Sequence, residues 1–335
     1  MDAAPANLAF VACDTLGVSM RDDVLAGLAA RPRTLPAKWF YDAQGSELFE
    51  AICDTPEYYV TRAELAILRQ HLEAIAAVLP RGAVLIEPGS GAGTKTRLLV
   101  EACRPSAYVA IDISRSMLEA GAAATARLFP ALRVLAIHAD YTRLDDLPQG
   151  HLPPDAPRVL YFPGSTIGNF TPGETRMFLE RVARWIGPSG SVLVGVDTRK
   201  DPAILEAAYD DSQGVTARFN LNLLRRLNAE LDASFDLSRF RHRVRYDPVL
   251  GRVEMHLESR VDQQVEVAGV AHVFRRGDTI HTENSYKYTP EGFRALAASC
   301  GYACPSTWTD AQEAFAIYHL VQGCAGGAGP AGARR

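Results

Sequence analysis

Hydrophobic spacing divides the chain into an alternating part and a hairpin part. Residues 1–35 carry scattered apolar positions, which predict one or two helices packed on something else. Thr61 and Glu64 form a capping-box pair, after which Leu65, Leu68, Leu72, Ile75 and Leu79 recur every three or four residues. That spacing predicts an amphipathic helix closed by Pro80-Arg81-Gly82. Apolar runs at Val84–Glu87, Ala107–Asp112, Val134–Tyr141, Val159–Pro163 and Ser191–Asp197 are separated by helical stretches, the rhythm of a parallel α/β sheet. One of those helices opens on Thr171-Pro172-Gly173-Glu174, with a cap, proline at N1 and glutamate at N3.

The rhythm stops near residue 200. A helical stretch around Leu205–Leu231 precedes strict alternation of Phe240, His242, Val244 and Tyr246 with Arg241, Arg243 and Arg245. After a turn at Pro248–Gly251, Val253, Met255, Leu257, Ser259 and Val261 alternate with polar partners, which predicts an antiparallel hairpin. Thr289-Pro290-Glu291 opens a further helix through Ala298, and Pro305–Thr309 and Ala314–Leu320 are the last strand candidates. Residues 200–287 therefore read as an α+β insert within one α/β domain made of 61–199 and 288–322, behind an N-terminal segment of residues 1–60. The Gly/Ala-rich stretch 323–335 is expected to be disordered.

Composition narrows the function more than the fold. The 335 residues are 47% hydrophobic and 22% charged with a net charge of −4, so there is no basic stripe for a nucleic-acid backbone. No run approaches the roughly 18 apolar residues of a membrane span, and the first residues lack the basic region of a signal peptide. Six scattered cysteines lack histidines at zinc-finger spacing, so they read as free thiols and no metal is expected. The expected protein is soluble and cytoplasmic, acts on a small molecule and needs no obligate protein partner.

Candidate chemistry centres on Glu87-Pro88-Gly89-Ser90-Gly91-Ala92-Gly93, between a strand and a helix start. Gly89, Gly91 and Gly93 let the backbone bend and let a ligand approach without Cβ interference. The GxGxG spacing fits a dinucleotide enzyme poorly and is similar to the first motif of S-adenosylmethionine (SAM) methyltransferases. Asp112, about twenty residues on, ends the second strand where an acidic side chain accepts from a ribose. Asp140 ends the third, placed for an adenine amino group, with Tyr141 beside it. Ahead of all this, Trp39, Phe40, Tyr41, Phe49, Tyr58 and Tyr59 crowd a chain that is only 8% aromatic. They suit either a packing plug or a lid over a ligand.

A wider set of segments resembles one family, the histidine Nα-methyltransferases of ergothioneine biosynthesis. The match covers Leu35–Arg62, the core motifs, Gly164–Asn169, Ala208–Asn220, Glu254-Met255 and Thr282-Glu283-Asn284-Ser285-Tyr286-Lys287. The resemblance implies a class I SAM-methyltransferase sheet with an inserted substrate domain, and an N-terminal segment that contributes to a substrate lid. It implies SAM as cofactor, S-adenosylhomocysteine as by-product and L-histidine as substrate, trimethylated in three steps to hercynine. Cofactor positions carry over as Gly89, Gly91, Lys95, Asp112, Asp140, Tyr141 and Gly164. Substrate positions carry over as Tyr58, Asn169, Tyr209, Glu283 and Ser285, with Tyr41, Phe49, Thr166 and Met255 as neighbours. Pro88 in the first motif and Asn284 between the imidazole-reading residues depart from the commoner pattern, and Asn284 is placed to tune the pocket.

The residue chemistry agrees with that implication. The Asn169 amide and Tyr209 hydroxyl are donors for a carboxylate, and Glu283 with Ser285 can serve two ring nitrogens. A buried pair of that kind rejects side chains that leave it unpaired. Tyr58 and Tyr41 would orient the amine, and their rings tolerate a growing trimethylammonium. Three rival readings remain at this point: a SAM methyltransferase for another small amine, a nicotinamide dehydrogenase and a non-catalytic SAM-binding regulator. The glycine spacing and the terminal strand pair disfavour the dehydrogenase. The intact set of pocket donors disfavours the regulator.

Overall fold

The computed structural model describes residues 5–13, 15, 19–91, 93–148 and 150–323. The stretch read as disordered lies outside them except for Gly323. The chain opens with β1 (Leu8–Ala12), α1 (Met20–Ala29), β2 (Arg33–Thr34), α2 (Ala43–Cys53) and α3 (Val60–Val78). The alternating part follows as β3 (Val84–Pro88), α4 (Thr94–Cys103), β4 (Ala107–Asp112), α5 (Arg115–Leu128), β5 (Arg133–His138), β6 (Arg158–Phe162), α6 (Pro172–Ile186) and β7 (Ser191–Asp197). Then come α7 (Pro202–Tyr209), α8 (Val215–Glu230), β8 (Phe240–Asp247), β9 (Arg252–Ser259), β10 (Gln263–Val267), β11 (Val270–Phe274) and β12 (Thr279–Tyr286). The chain closes with α9 (Pro290–Ser299), β13 (Tyr302–Thr309) and β14 (Phe315–Gln322).

Eight strands form one sheet in the order β1-β5-β4-β3-β6-β7-β14-β13. The first six are parallel to their neighbours, and β14 and β13 return antiparallel beside β7. This is the α/β architecture that the alternation predicts, with an antiparallel pair after the fifth core strand. Strand alternation splits the apolar residues between two faces. Leu85, Tyr108, Val134, Val159 and Leu193 pack on one side with α3, α4 and α5. Val84, Val109, Leu135, Leu160 and Val192 pack on the other with Phe178, Val182 and Trp185 of α6 and Phe293 of α9. Burial on both faces is why these strands read as unbroken apolar runs. The order reverses at β3, which lies between β4 and β6, so the carboxyl ends of these strands frame the crevice in which open α/β sheets bind ligands.

A second sheet, β2-β12-β9-β8, is built from the predicted hairpin, β12 and the short β2. The helical stretch 205–231 breaks into two helices because Gly214 takes a left-handed conformation at φ 64°. There the Asp211 carboxylate accepts from the Val215 and Thr216 amides. Two expectations fail. Residues 1–35 supply the edge strand β1 as well as helix α1, because Leu8–Ala12 pairs with β5. The Thr61–Glu64 capping box does not form: α3 begins at Val60, and Glu64 is buried, bonded to Lys95 and to the Gly164 amide. The cap at Thr171 forms as expected, with both reciprocal bonds to Glu174.

Glu64 lies against Gly195 of β7, where an added Cβ would sit 2.5 Å from Glu64 Oε1 and 2.9 Å from the Phe315 ring. Gly195→Ala is therefore expected to cost about 1–3 kcal/mol through overpacking, read as a lower midpoint in urea unfolding. An unchanged midpoint would mean that β7 shifts freely at this point.

Candidate active site

The glycine turn after β3 places backbone where a side chain would obstruct. Gly89, Gly91 and Gly93 all take positive φ. A Cβ on Gly91 would project into open space, and one on Gly89 would lie 3.7 Å from the Tyr141 ring. Asp112, at the carboxyl end of β4, accepts from the Gly91 amide at 3.1 Å and the Ser114 amide at 2.8 Å. Burial raises its carboxyl above the ordinary range, and these backbone bonds pull the other way. A carboxylate has about four acceptor positions, so these bonds leave room for a ligand hydroxyl.

Beside it, Asp140 accepts from the Thr142 amide and hydroxyl, and Lys38 reaches the same carboxylate at 3.3 Å and Asp23 at 2.9 Å. The Tyr141 ring packs edge-on against Phe162 and Phe178. Lys95 pairs with Glu64, whose Oε2 also accepts from Gly164 N at 2.9 Å. The open glycine turn, the unexhausted Asp112 and the acidic strand ends fit a cofactor that carries ribose hydroxyls and a cationic centre. Glu87 lies beneath them: Tyr108 donates to it at 2.5 Å, and burial pushes its carboxyl up to about 7.

The residues expected on the substrate side come from five separate stretches. Asn169, in the short helical turn Thr166–Asn169, donates from Nδ2 to Glu283 Oε1 at 3.0 Å. Glu283 pairs across the sheet with Met255, and Ser285 with Val253, after an irregularity between His281 and Glu283. Burial pushes the Glu283 carboxyl up to about 7 against the pull of Lys287 and Asn169. Tyr209, the last residue of α7, shares a 2.7 Å hydrogen bond with Ser285. Thr166 donates back to the Pro163 carbonyl at 2.8 Å. Asn284 bonds His281, away from Glu283 and Ser285 on the alternating strand. Its expected role in tuning the pocket finds no contact here.

The aromatic segment packs as one cluster that extends to Tyr209. Phe40 is fully buried and stacks on Phe219 of α8 with centroids 4.5 Å apart. Tyr41, Phe49 and Tyr58 continue the cluster to Tyr209 through edge-on contacts. Burial drives the Tyr41 and Tyr58 phenols well above their ordinary range, and Glu283 pushes both further. Both phenols therefore stay protonated.

Sequence reasoning missed a charged group behind this wall. Lys287 is buried and ion-pairs at 2.6 Å with Asp197, the last residue of β7. Lys200 reaches the same carboxylate at 2.6 Å, and Tyr59 donates to it at 2.8 Å. Burial alone would raise the Asp197 carboxyl, but the two lysines outweigh it and hold it below the ordinary range. The signal was available: Glu283, Ser285 and Lys287 follow one another at every second position.

A family model described as histidine-specific, SAM-dependent methyltransferase matches residues 20–322. The histidine N-alpha-methyltransferase of Mycolicibacterium smegmatis is 40% identical over 321 residues, covering 93% of this chain and 98% of that protein. The protein of the same name from Mycobacterium tuberculosis is 39% identical over 307 residues, covering 90% and 94%. Ergothioneine biosynthesis protein 1 of Neurospora crassa is 32% identical over 292 residues, which are 84% of this chain and 32% of that longer protein.

Proposed function

The chain belongs to the histidine-specific, SAM-dependent methyltransferases, and from that premise we propose how its residues divide the work of methylating the α-amine of L-histidine. The product is the trimethyl betaine hercynine, formed by three successive transfers in ergothioneine biosynthesis. The observation that carries the residue assignment is Glu283 and Ser285 at alternate positions of β12, with Asn169 on the first and Tyr209 on the second. Two ring-facing groups and two carboxylate-facing donors match the ring and the carboxylate of histidine and leave the amine free.

Residues 61–199 and 288–322, joined by the edge strand β1, form the cofactor sheet, residues 200–287 supply Tyr209, Met255, Glu283 and Ser285 of the substrate wall, and residues 1–60 contribute to the lid. The lid assignment is supported by the Lys38–Asp140 ion pair and the Phe40–Phe219 stack. Gly89, Gly91, Lys95, Asp112, Asp140, Tyr141 and Gly164 would hold SAM, with Asp112 accepting from the ribose. SAM supplies the sulfonium methyl when bound. The chain supplies position, the term that can supply the largest share of the barrier reduction. Asn169 and Tyr209 would orient the carboxylate, Glu283 and Ser285 the ring, and Phe49, Thr166 and Met255 would complete the pocket around them. The buried phenols of Tyr41 and Tyr58 would align the neutral amine opposite the sulfur and face the trimethylammonium by cation–π contact.

Mass spectrometry of purified protein incubated with SAM and a panel of amino acids tests this. Histidine gaining up to three methyl groups is the expected result. Methylation of a different amine would keep the cofactor assignment and discard the ring-reading pair. SAM binding without any transfer would point to a regulator.

A further inference from the structure

Lys287 has three N–H groups, and each of them is engaged. They meet Asp197 Oδ2 at 2.6 Å, Tyr209 Oη at 2.9 Å and Ser285 Oγ at 2.8 Å. The Tyr209 and Ser285 oxygens lie 2.7 Å apart, so the two hydroxyls and the ammonium close a triangle. An ammonium only donates, so both oxygens accept from Lys287. Two hydroxyl hydrogens remain. One spans the Tyr209–Ser285 edge, and the other has no acceptor within the triangle. That second O–H is free to bond a ligand.

We propose that Lys287 is a positioning residue that fixes the polarity of this pair: Ser285 donates to Tyr209, Tyr209 donates to the substrate carboxylate, and Ser285 presents only a lone pair to the ring. The proposal rests on the reading of Glu283 and Ser285 as the ring-contacting pair. The phenol takes the outward bond because it is the stronger acid and a carboxylate is the strongest acceptor present. A specificity rule follows. The ring nitrogen that faces Ser285 must carry hydrogen, so a neutral imidazole has only a lone pair left for Glu283. Two lone pairs do not bond without a proton between them. A complex formed from neutral ring and ionised Glu283 therefore takes one proton from solvent and holds it between that nitrogen and the carboxylate. The charge acting on Glu283 is that of Lys287, itself set against Asp197, while Asn169 on the Glu283 carboxylate is neutral.

Nitrogen NMR of ring-labelled hercynine bound to the full chain with S-adenosylhomocysteine reads this directly, since the trimethylated amine has no proton to exchange. In mildly alkaline buffer, where the free ring is neutral, both ring nitrogens of the bound ligand are expected in the protonated range. Ser285→Ala should move one signal and Glu283→Gln the other, assigning each nitrogen to its partner. If neither variant moves a ring signal, the ring-contacting reading fails. If the nitrogen that answers to Ser285→Ala is unprotonated in the wild type, Ser285 is its donor and the polarity proposal is overturned. Lys287→Met should raise KM for histidine about tenfold or more, the scale of one hydrogen bond to a charged group, with a much smaller change in kcat. It should also shift the Ser285-facing nitrogen out of the protonated range. A folded Lys287→Met with unchanged KM and spectrum overturns the positioning role; if that variant does not fold, the wild-type and Ser285→Ala spectra decide.

Discussion

Glu283→Ala is expected to lower kcat/KM for histidine by about a hundred- to a thousandfold without unfolding the protein. The ring would lose its charged partner, and a buried ring nitrogen would be left without any hydrogen-bond partner. Hydrogen bonds to charged groups contribute about 1.5–3 kcal/mol, and an unmet polar group adds a desolvation cost of about 1–3 kcal/mol. At about 1.4 kcal/mol per tenfold, the sum reaches that range. Stability should move the other way. The Glu283 carboxyl is pushed up to about 7 from an ordinary 4.5, so the fold disfavours its ionised form. That penalty is absent below about pH 4.5, grows as pH rises and is complete above about pH 7. Removing the carboxyl should therefore leave the melting temperature equal or higher in mildly alkaline buffer, with the difference vanishing in acid. Steady-state kinetics paired with melting at the two pH values checks this. A parallel fall in activity and stability would make Glu283 a structural residue instead.

The contrast between Glu283 and Glu64 shows what was legible in the chain. Runs such as Ala107–Asp112 and Ser191–Asp197 announce strands because burial on both faces leaves no polar position to interrupt them. The hairpin of β8 and β9 announces itself through the opposite signature, arginines on one face at every second position. Glu64 misled because a capping box is a local pattern, whereas Lys95, which draws its side chain inward, lies 31 residues further along the chain. Leu8–Ala12 misled for a related reason: five residues of mixed burial become a strand only when β5 is available to pair with them. Among the site residues, Glu283 and Ser285 were legible through a long motif and Asp112 through its strand end. Lys287 offered only its alternate spacing with Glu283 and Ser285, and Asp197 offered no signal, since a lysine and a strand-end aspartate are ordinarily solvated. Only the convergence of β7, α7 and the end of β12 turns them into a buried pair.

That pair sets the second large effect. Asp197→Leu is expected to destabilise the protein by about 3–5 kcal/mol, because it leaves Lys287 buried without its counter-charge. Lys200 would suffer less, since it also donates to the Thr198 carbonyl and lies nearer the surface. The loss should depend on pH in a known direction. The Asp197 carboxyl is held below its ordinary 3.8, so its contribution is present above that value and is lost as pH falls through the lowered one. The gap between wild type and variant should accordingly narrow in acid when both are followed by urea unfolding. Adding Lys287→Met to Asp197→Leu removes the stranded ammonium, and replacing both members of a buried ion pair by apolar groups is often neutral. The double variant should therefore recover most of the lost stability. Its activity should not recover, because Tyr209 and Ser285 would still lack the donor that orients them. Recovery of both would reduce the pair to a folding element; recovery of stability alone separates the burial of these charges from their use, which is to hold two hydroxyls in one orientation at the substrate wall.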